Sequence, residues 1–344
     1  MKLEKYKGQG LTGLSNLGNT CFLNSTIQCL SHCYEFNEFL NNEKWRINLN
    51  EVNDSLLLIE WDSLRKLMWS ENCVISPGRF VTTVQKVSAI KQRDLFTGFA
   101  QNDLPEFLLF LMDCLHNSIN RSVKINITGK ILNSKDKLAK QCYEMIKNMY
   151  SKDYSEILDI FYGTHVSIVK DINYKTLNNT PEPYFLIDLP IPEDSNNPNL
   201  YDCFDLFTKE ELLSGDEKYD NNGEKIDAFR QIKFWSFPKV LVIDLKRFKS
   251  NGRKNNKLIT FPLEDLTLVK YCIGYNKESY IYDLFGICNH SGGTLGGHYT
   301  AYVKNANDNW YHFNDTIVKK VDNIDDLISN KAYCLFYRKK NIDK

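Results

Sequence analysis

Residues Lys239-Val-Leu-Val-Ile-Asp-Leu-Lys-Arg-Phe248 carry the strongest strand signal in the chain. After it, strands are expected at 281–288, 299–304, 310–314 and 332–338. Upstream the period changes. Leu23, Ile27, Leu30 and Tyr34 fall at i, i+4, i+7 and i+11, which predicts one helix running to about residue 40. Asp103-Leu-Pro-Glu106 opens another, with Asp103 as N-cap, Pro105 in the first turn and Glu106 closing a capping box. Residues 135–150 also read as a helix, and from about 161 the texture becomes short strands and polar turns. The stretches 173–180, 194–199 and 216–227 read as exposed loops. Helices first and strands later predict an α+β fold, a helical lobe packed on a strand-rich one.

The 344 residues carry 43 Lys plus Arg against 43 Asp plus Glu, so the formal net charge is zero. That balance argues against nucleic acid as the main partner, because such binding needs a concentrated positive field. No stretch has the apolar length of a bilayer span, and Met1-Lys2-Leu3-Glu4-Lys5 has no apolar signal core. An intracellular, cytoplasmic protein with no membrane partner is expected. The ten cysteines are scattered without a C-x-x-C pair, so neither a structural metal site nor a disulfide framework is expected. Most of these thiols read as small buried hydrophobes.

Cys21 keeps different company. It stands where the turn-rich run Gly13-Leu-Ser-Asn-Leu-Gly-Asn-Thr-Cys21 passes into the helical pattern. A helix N-terminus carries partial positive charge, which favours thiolate over thiol, and its free N–H groups can hold an oxyanion. Late in the chain, Ser291-Gly-Gly-Thr-Leu-Gly-Gly-His298 is a glycine loop leading into a strand that begins with His298. Sixteen residues further on, Asn314 and Asp315 end the neighbouring strand, where Asn314 can fix the imidazole tautomer. A nucleophile early on a helix, with base and orienter late on strands, is the chain order of papain-like proteases.

Gly13-Leu-Ser-Asn-Leu-Gly-Asn-Thr-Cys-Phe-Leu-Asn-Ser25 resembles the cysteine box of the ubiquitin-specific proteases. Gly297-His-Tyr-Thr-Ala-Tyr302 with Trp310-Tyr-His-Phe-Asn-Asp315 resembles their histidine box, and Gln101-Asn-Asp-Leu-Pro-Glu-Phe-Leu108 their Gln/Asp/Glu-Phe-Leu segment. The run ending at Phe248 and the pair Phe261-Pro262 complete five landmarks in the family's order. The resemblance implies a papain-like cysteine peptidase with a helical thumb and with fingers and palm of antiparallel β structure. It places an extension at 1–10, then one catalytic domain over 11–344: thumb about 11–120, helical connection about 121–160, fingers about 161–235 and palm about 236–340.

It further implies hydrolysis of the bond after the C-terminal glycine of ubiquitin by a monomer that needs no cofactor, with ubiquitin or ubiquitinated proteins as partners. Cys21 is then nucleophile, His298 general base and Asn314 its orienter. Asn16 donates to the oxyanion and Asp315 is auxiliary. Gln101, Asp103, Glu106, Gly296, Gly297 and Tyr299 are implied to contact substrate, and loops near 250–258 and 291–297 to face it. The chain departs from the family where two zinc-binding C-x-x-C pairs are common. Lys170-Asp-Ile-Asn173 and Asp220-Asn-Asn-Gly223 stand there, so fingers without metal are expected. The alternatives are a catalytically silent ubiquitin-binding scaffold, a hydrolase for another ubiquitin-like modifier, and a Cys–His acyl-transfer enzyme such as a transglutaminase.

Overall fold

In the computed structural model, which describes residues 3–93, 95–98, 100–249, 251–293 and 296–340, the run after Lys239 is a strand buried on both faces. Val240 and Val242 join one hydrophobic core, while Leu241, Ile243 and Leu245 join a second. A strand covered on both sides has no polar face to alternate, which is why residues 240–243 read as consecutive apolar residues before Asp244.

The helices in chain order are α1 (Cys21–Ser31), α2 (Tyr34–Asn41), α3 (Ser55–Met68) and α4 (Gly78–Ile90). They continue with α5 (Leu104–Asn117), α6 (Ser134–Tyr150), α7 (Glu156–Phe161) and α8 (Leu200–Phe207). The strands of the two main sheets begin with β1 (Gly163–Asp171), β2 (Thr176–Tyr184), β3 (Leu186–Pro190), β4 (Glu211–Leu213) and β5 (Ala228–Ser236). Then come β6 (Val240–Lys246), β7 (Ile281–Gly293), β8 (Gly296–Lys304), β9 (Trp310–Asn314), β10 (Ile317–Lys320) and β11 (Ala332–Lys339).

The larger sheet has the order β10-β9-β8-β7-β11-β6-β3, with the short strand Leu266–Thr267 added to β7. Its pairs are antiparallel except β6 with β3. The smaller sheet runs β2-β1-β5-β4 and is antiparallel throughout. Helices α1 to α5 and α7 share the first core with one face of the large sheet, and α8 covers the other face. Helix α6 lays Ala139 and Cys142 on Val166 and Trp235 of the small sheet. This mixed α+β architecture agrees with the sequence reading. Among the described residues no helix is long and apolar enough to cross a membrane.

Four local expectations need correction. The helix expected to run to about residue 40 is two helices, because Cys33 turns extended (φ −76°, ψ 91°). Side chains hold the break: the Ser31 carbonyl accepts from Asn37 Nδ2 at 2.6 Å and from Trp69 Nε1 at 3.2 Å. At Asp103 the N-cap backbone is extended as expected, but no capping box forms, because the carboxylate accepts from Tyr299 and Tyr333 instead. Most of the Asn-rich stretch 173–180 belongs to the exposed edge strand β2, where polar side chains alternate into solvent while the backbone pairs with β1. Residues 216–227 contain a hairpin, Tyr219–Asn221 with Glu224–Ile226, whose turn is closed by Gly223 N–H donating to Asp220 Oδ1 at 2.6 Å.

The two segments lacking C-x-x-C pairs are thus turns organised by aspartates. At the other one, Asp171 Oδ1 accepts from the N–H groups of Asn173 and Lys175, both at 2.9 Å, and Tyr174 stacks on Phe229.

In the helical half, Asp62 of α3 is 1% exposed and accepts from Arg65 Nη2 at 2.6 Å; Arg65 is 3% exposed. Arg46 and Lys66 also reach this carboxylate from the surface. Asp62→Ala leaves a buried guanidinium without its anion, so a loss of about 3 kcal/mol or more is expected in urea unfolding. A loss under about 1 kcal/mol, the value of an exposed pair, would contradict this placement.

Candidate active site

Residues 13–21 form a turn held by its own side chains. Asn16 Oδ1 accepts from the N–H groups of Gly18 at 3.2 Å and Thr20 at 3.1 Å, and Thr20 Oγ1 accepts from Leu17 N–H at 2.9 Å. Such Asn-centred bonds occupy amides that would otherwise extend the helix backwards. Helix α1 therefore starts at Cys21, whose side chain is 3% exposed.

Burial pushes the Cys21 thiol above its ordinary value, and the Asp315 charge adds to that shift. The backbone amides of Tyr299, Phe22 and Cys21 itself oppose it. The helix terminus was expected to favour thiolate; loss of solvent outweighs it here. The Tyr299 amide beside the thiol also fixes where β8 lies, since Tyr299 directly follows His298.

His298 and Asn314 meet across neighbouring strands. The register Ala301 opposite Phe313 puts the two side chains within diagonal reach, and His298 Nε2 lies 2.7 Å from Asn314 Oδ1. An amide oxygen only accepts, so Nε2 carries a hydrogen, and in the neutral form of the ring the lone pair is on Nδ1. Asp315, with φ +50°, splits its carboxylate between two asparagines: Oδ2 accepts from Asn16 Nδ2 at 3.0 Å and Oδ1 from Asn24 Nδ2 at 2.8 Å. Its carbonyl accepts from Leu14 N–H at 2.9 Å. A Cβ on Gly13 would stand 2.4 Å from the Thr316 carbonyl oxygen, so this crossing requires glycine.

The residues named for substrate contact divide. Gln101 and Gly297 bond reciprocally, Nε2 to the Gly297 carbonyl at 2.7 Å and Gly297 N–H to Oε1 at 2.6 Å. Asp103 accepts from Tyr299 at 3.2 Å and Tyr333 at 2.8 Å; burial raises its carboxyl although both phenols pull it down. Glu106 is exposed, and its carboxyl is raised by lost solvation and by Asp103. Among the described residues Glu106 makes no side-chain hydrogen bond, and a Cβ on Gly296 would meet nothing. Thr294 and Leu295 of the glycine loop, and Ser250 of the loop near 250–258, lie outside the described residues.

Asn24, Tyr333 and His290 also belong to this web; the sequence reading gives no site role to Asn24 or Tyr333 and makes His290 a loop-supporting histidine rather than a second base. Asn24 had a signal: an amide on a wholly buried helix needs a partner, and Asp315 supplies it. Tyr333 had none, since its partner Asp103 lies far off in sequence. Among the described residues, Asp54, Asp113 and Cys114 form the one cluster of three with metal-type ligand atoms, and Lys91 bonds both carboxylates there.

A family profile described as ubiquitin carboxyl-terminal hydrolase matches residues 12–337. Ubiquitin carboxyl-terminal hydrolase 2 of Homo sapiens is 35% identical over 350 residues, which cover 97% of this chain and 56% of that protein. Ubiquitin carboxyl-terminal hydrolase 4 of Saccharomyces cerevisiae is 31% identical over 366 residues, covering 95% of this chain and 39% of that protein. The chain thus spans little more than half of the human relative's length. The solved SAGA Ubp8/Sgf11/Sus1/Sgf73 DUB module bound to ubiquitin aldehyde matches with a TM-score of 0.75 at 25% identity, covering all of this chain and 72% of that one. With the profile spanning nearly its whole length, the chain belongs to the ubiquitin carboxyl-terminal hydrolase family.

Proposed function

We propose that this chain is a thiol-dependent deubiquitinating hydrolase, cleaving the peptide or isopeptide bond after the C-terminal glycine of ubiquitin. The observation that carries the reading is the His298–Asn314 bond of 2.7 Å on the strand whose next amide, that of Tyr299, lies against the Cys21 thiol. The names of the relatives and the ubiquitin aldehyde on the solved module support the substrate class.

In this reading His298 Nδ1 takes the thiol proton as the sulfur attacks the glycine carbonyl carbon. The tetrahedral oxyanion is met by the Cys21 backbone N–H and by Asn16, whose amide has a second N–H besides the one given to Asp315. His298 then passes its proton to the departing amine as the C–N bond breaks. Water cleaves the thioester by the reverse sequence, restoring the thiol. Asn314 orients the imidazole, and Asp315 acts by holding Asn16 and Asn24. Gln101, Asp103, Glu106, Gly296, Gly297 and Tyr299 line the tail's approach, where only a Gly-Gly end lacks side chains that would clash. The thumb, connection, fingers and palm divisions at about 120, 160 and 235 belong to the same proposal, as do a monomeric state and action in the cytoplasm.

Ubiquitin carrying a C-terminal electrophile is expected to add to the chain one-to-one in intact-mass spectra, with the adduct lost in Cys21→Ser. No adduct in the native chain would sink the reading, and adduct formation only with another ubiquitin-like modifier would reassign the substrate. Gly297→Ala places a Cβ 2.2 Å from His290 Nε2, so a drop of about 100-fold in labelling rate is expected with the fold retained. A rate equal to the native one would show that the strand tolerates displacement there. Because burial raises the Cys21 thiol, its alkylation by iodoacetamide should climb with pH up to and beyond the ordinary thiol value of 9.0. A rate already at its plateau near neutrality would contradict that sign.

A further inference from the structure

Beneath β8, the strand that carries His298, lies a cation with no part in the steps above. After Phe248 the chain turns back, Lys249 N–H donating to the Arg253 carbonyl at 3.0 Å, and the return sets Lys254 opposite Phe248. From there Lys254 Nζ crosses to β7, where it lies 2.9 Å from His290 Nδ1 and donates to the His290 carbonyl at 2.6 Å. His290 is 3% exposed, with its ring 4.6 Å from the Tyr299 ring and the Phe248 and Tyr333 rings around it. Its Nε2 occupies the space a side chain at position 297 would need. Gly297 is therefore held from two directions, by Gln101 on its N–H and carbonyl and by His290 against its Cα.

We propose that Lys254 is a positioning residue: by pinning His290 it fixes Gly297 and Tyr299, and through them sets the His298 imidazole against the Cys21 thiol. This rests on the cysteine-hydrolase reading given above. An ammonium only donates, so His290 Nδ1 must be the bare acceptor and Nε2 must carry the hydrogen that faces Gly297. Burial, with the Lys254 charge adding, holds His290 down to about 4, so the ring stays neutral and in one tautomer through the neutral range. Burial and the Arg247 charge hold Lys254 down to about 8. Among the described residues both of its hydrogen bonds go to His290, and no carboxylate pairs with it. A half-buried cation without an anion weakens the fold, whereas an apolar side chain there would not. The arrangement therefore serves the placement of His290 better than it serves stability.

The test compares the native chain with Lys254→Met, Lys254→Arg, His290→Phe and the double variant Lys254→Met/His290→Phe. Two rates are read: alkylation of Cys21 by iodoacetamide, located by peptide mass, and addition of ubiquitin carrying a C-terminal electrophile. Lys254→Met should slow both by about tenfold or more while the final labelled fraction stays complete, because misplacement of a reacting group costs rate and not active molecules. Lys254→Arg should recover most of the rate. The double variant should be no slower than the slower single one, since both act along one path. Rates for Lys254→Met within about twofold of native, or a double variant showing the product of the two losses, would overturn the proposal. So would a labelled fraction that falls in step with the rate, the mark of a merely structural lysine. If the native chain ignores the ubiquitin probe but Lys254→Met still slows alkylation, the ubiquitin reading fails and the positioning role stands.

Discussion

One carboxylate joins the two ends of this chain. Asp315, just past the end of β9, accepts from Asn16 in the first turn and Asn24 on α1, while its carbonyl takes the Leu14 N–H. Bonds to a charged acceptor contribute about 1.5–3 kcal/mol each, enough to offset the left-handed backbone at Asp315. The same crossing is why Gly13 has no room for a side chain. Since α1 begins at Cys21 and β9 ends at Asn314, this junction sets the distance between thiol and imidazole before any substrate arrives.

Tyr299 is the second fixed point. Its amide lies against the thiol, its hydroxyl donates to Asp103 at the head of α5, and its ring packs on His290. Three elements distant in sequence thus converge on the residue after His298. The thiol rests mostly protonated in this setting because burial outweighs the helix terminus and the amides. On the proposed mechanism the thiol and the imidazole are a poised pair: the proton passes to Nδ1 as the carbonyl carbon arrives, where the oxyanion donors can meet the developing charge.

Much of this could be read from residues alone, and the failures have physical causes. Helix α6 and the strands flanking His298 and Asn314 follow from periodicity, because each buries a regular face on one partner. The break at Cys33 does not, since Asn37 and Trp69 recruit the Ser31 carbonyl from positions that look like ordinary helix and loop. Asp103 carried every local mark of a capping aspartate, yet two tyrosines from strands more than 190 residues away take its carboxylate. Local preference lost there to a tertiary partner. The polar run 173–180 misled in the opposite way: an edge strand needs only backbone pairing, and asparagines facing solvent cost it little. At the site, motif spacing picked out Cys21, His298 and Asn314. The engagement of Asn16 with Asp315, and the support from Asn24, Tyr333, His290 and Lys254, depend on which side chains the fold brings face to face.

Hydrolysis of ubiquitin bearing a C-terminal fluorogenic amide tests the central claim most directly, with the native chain, Cys21→Ser and His298→Ala prepared side by side. The account predicts turnover by the native chain and release at the enzyme-free rate by both variants. Turnover retained by Cys21→Ser, or none by the native chain, would contradict it.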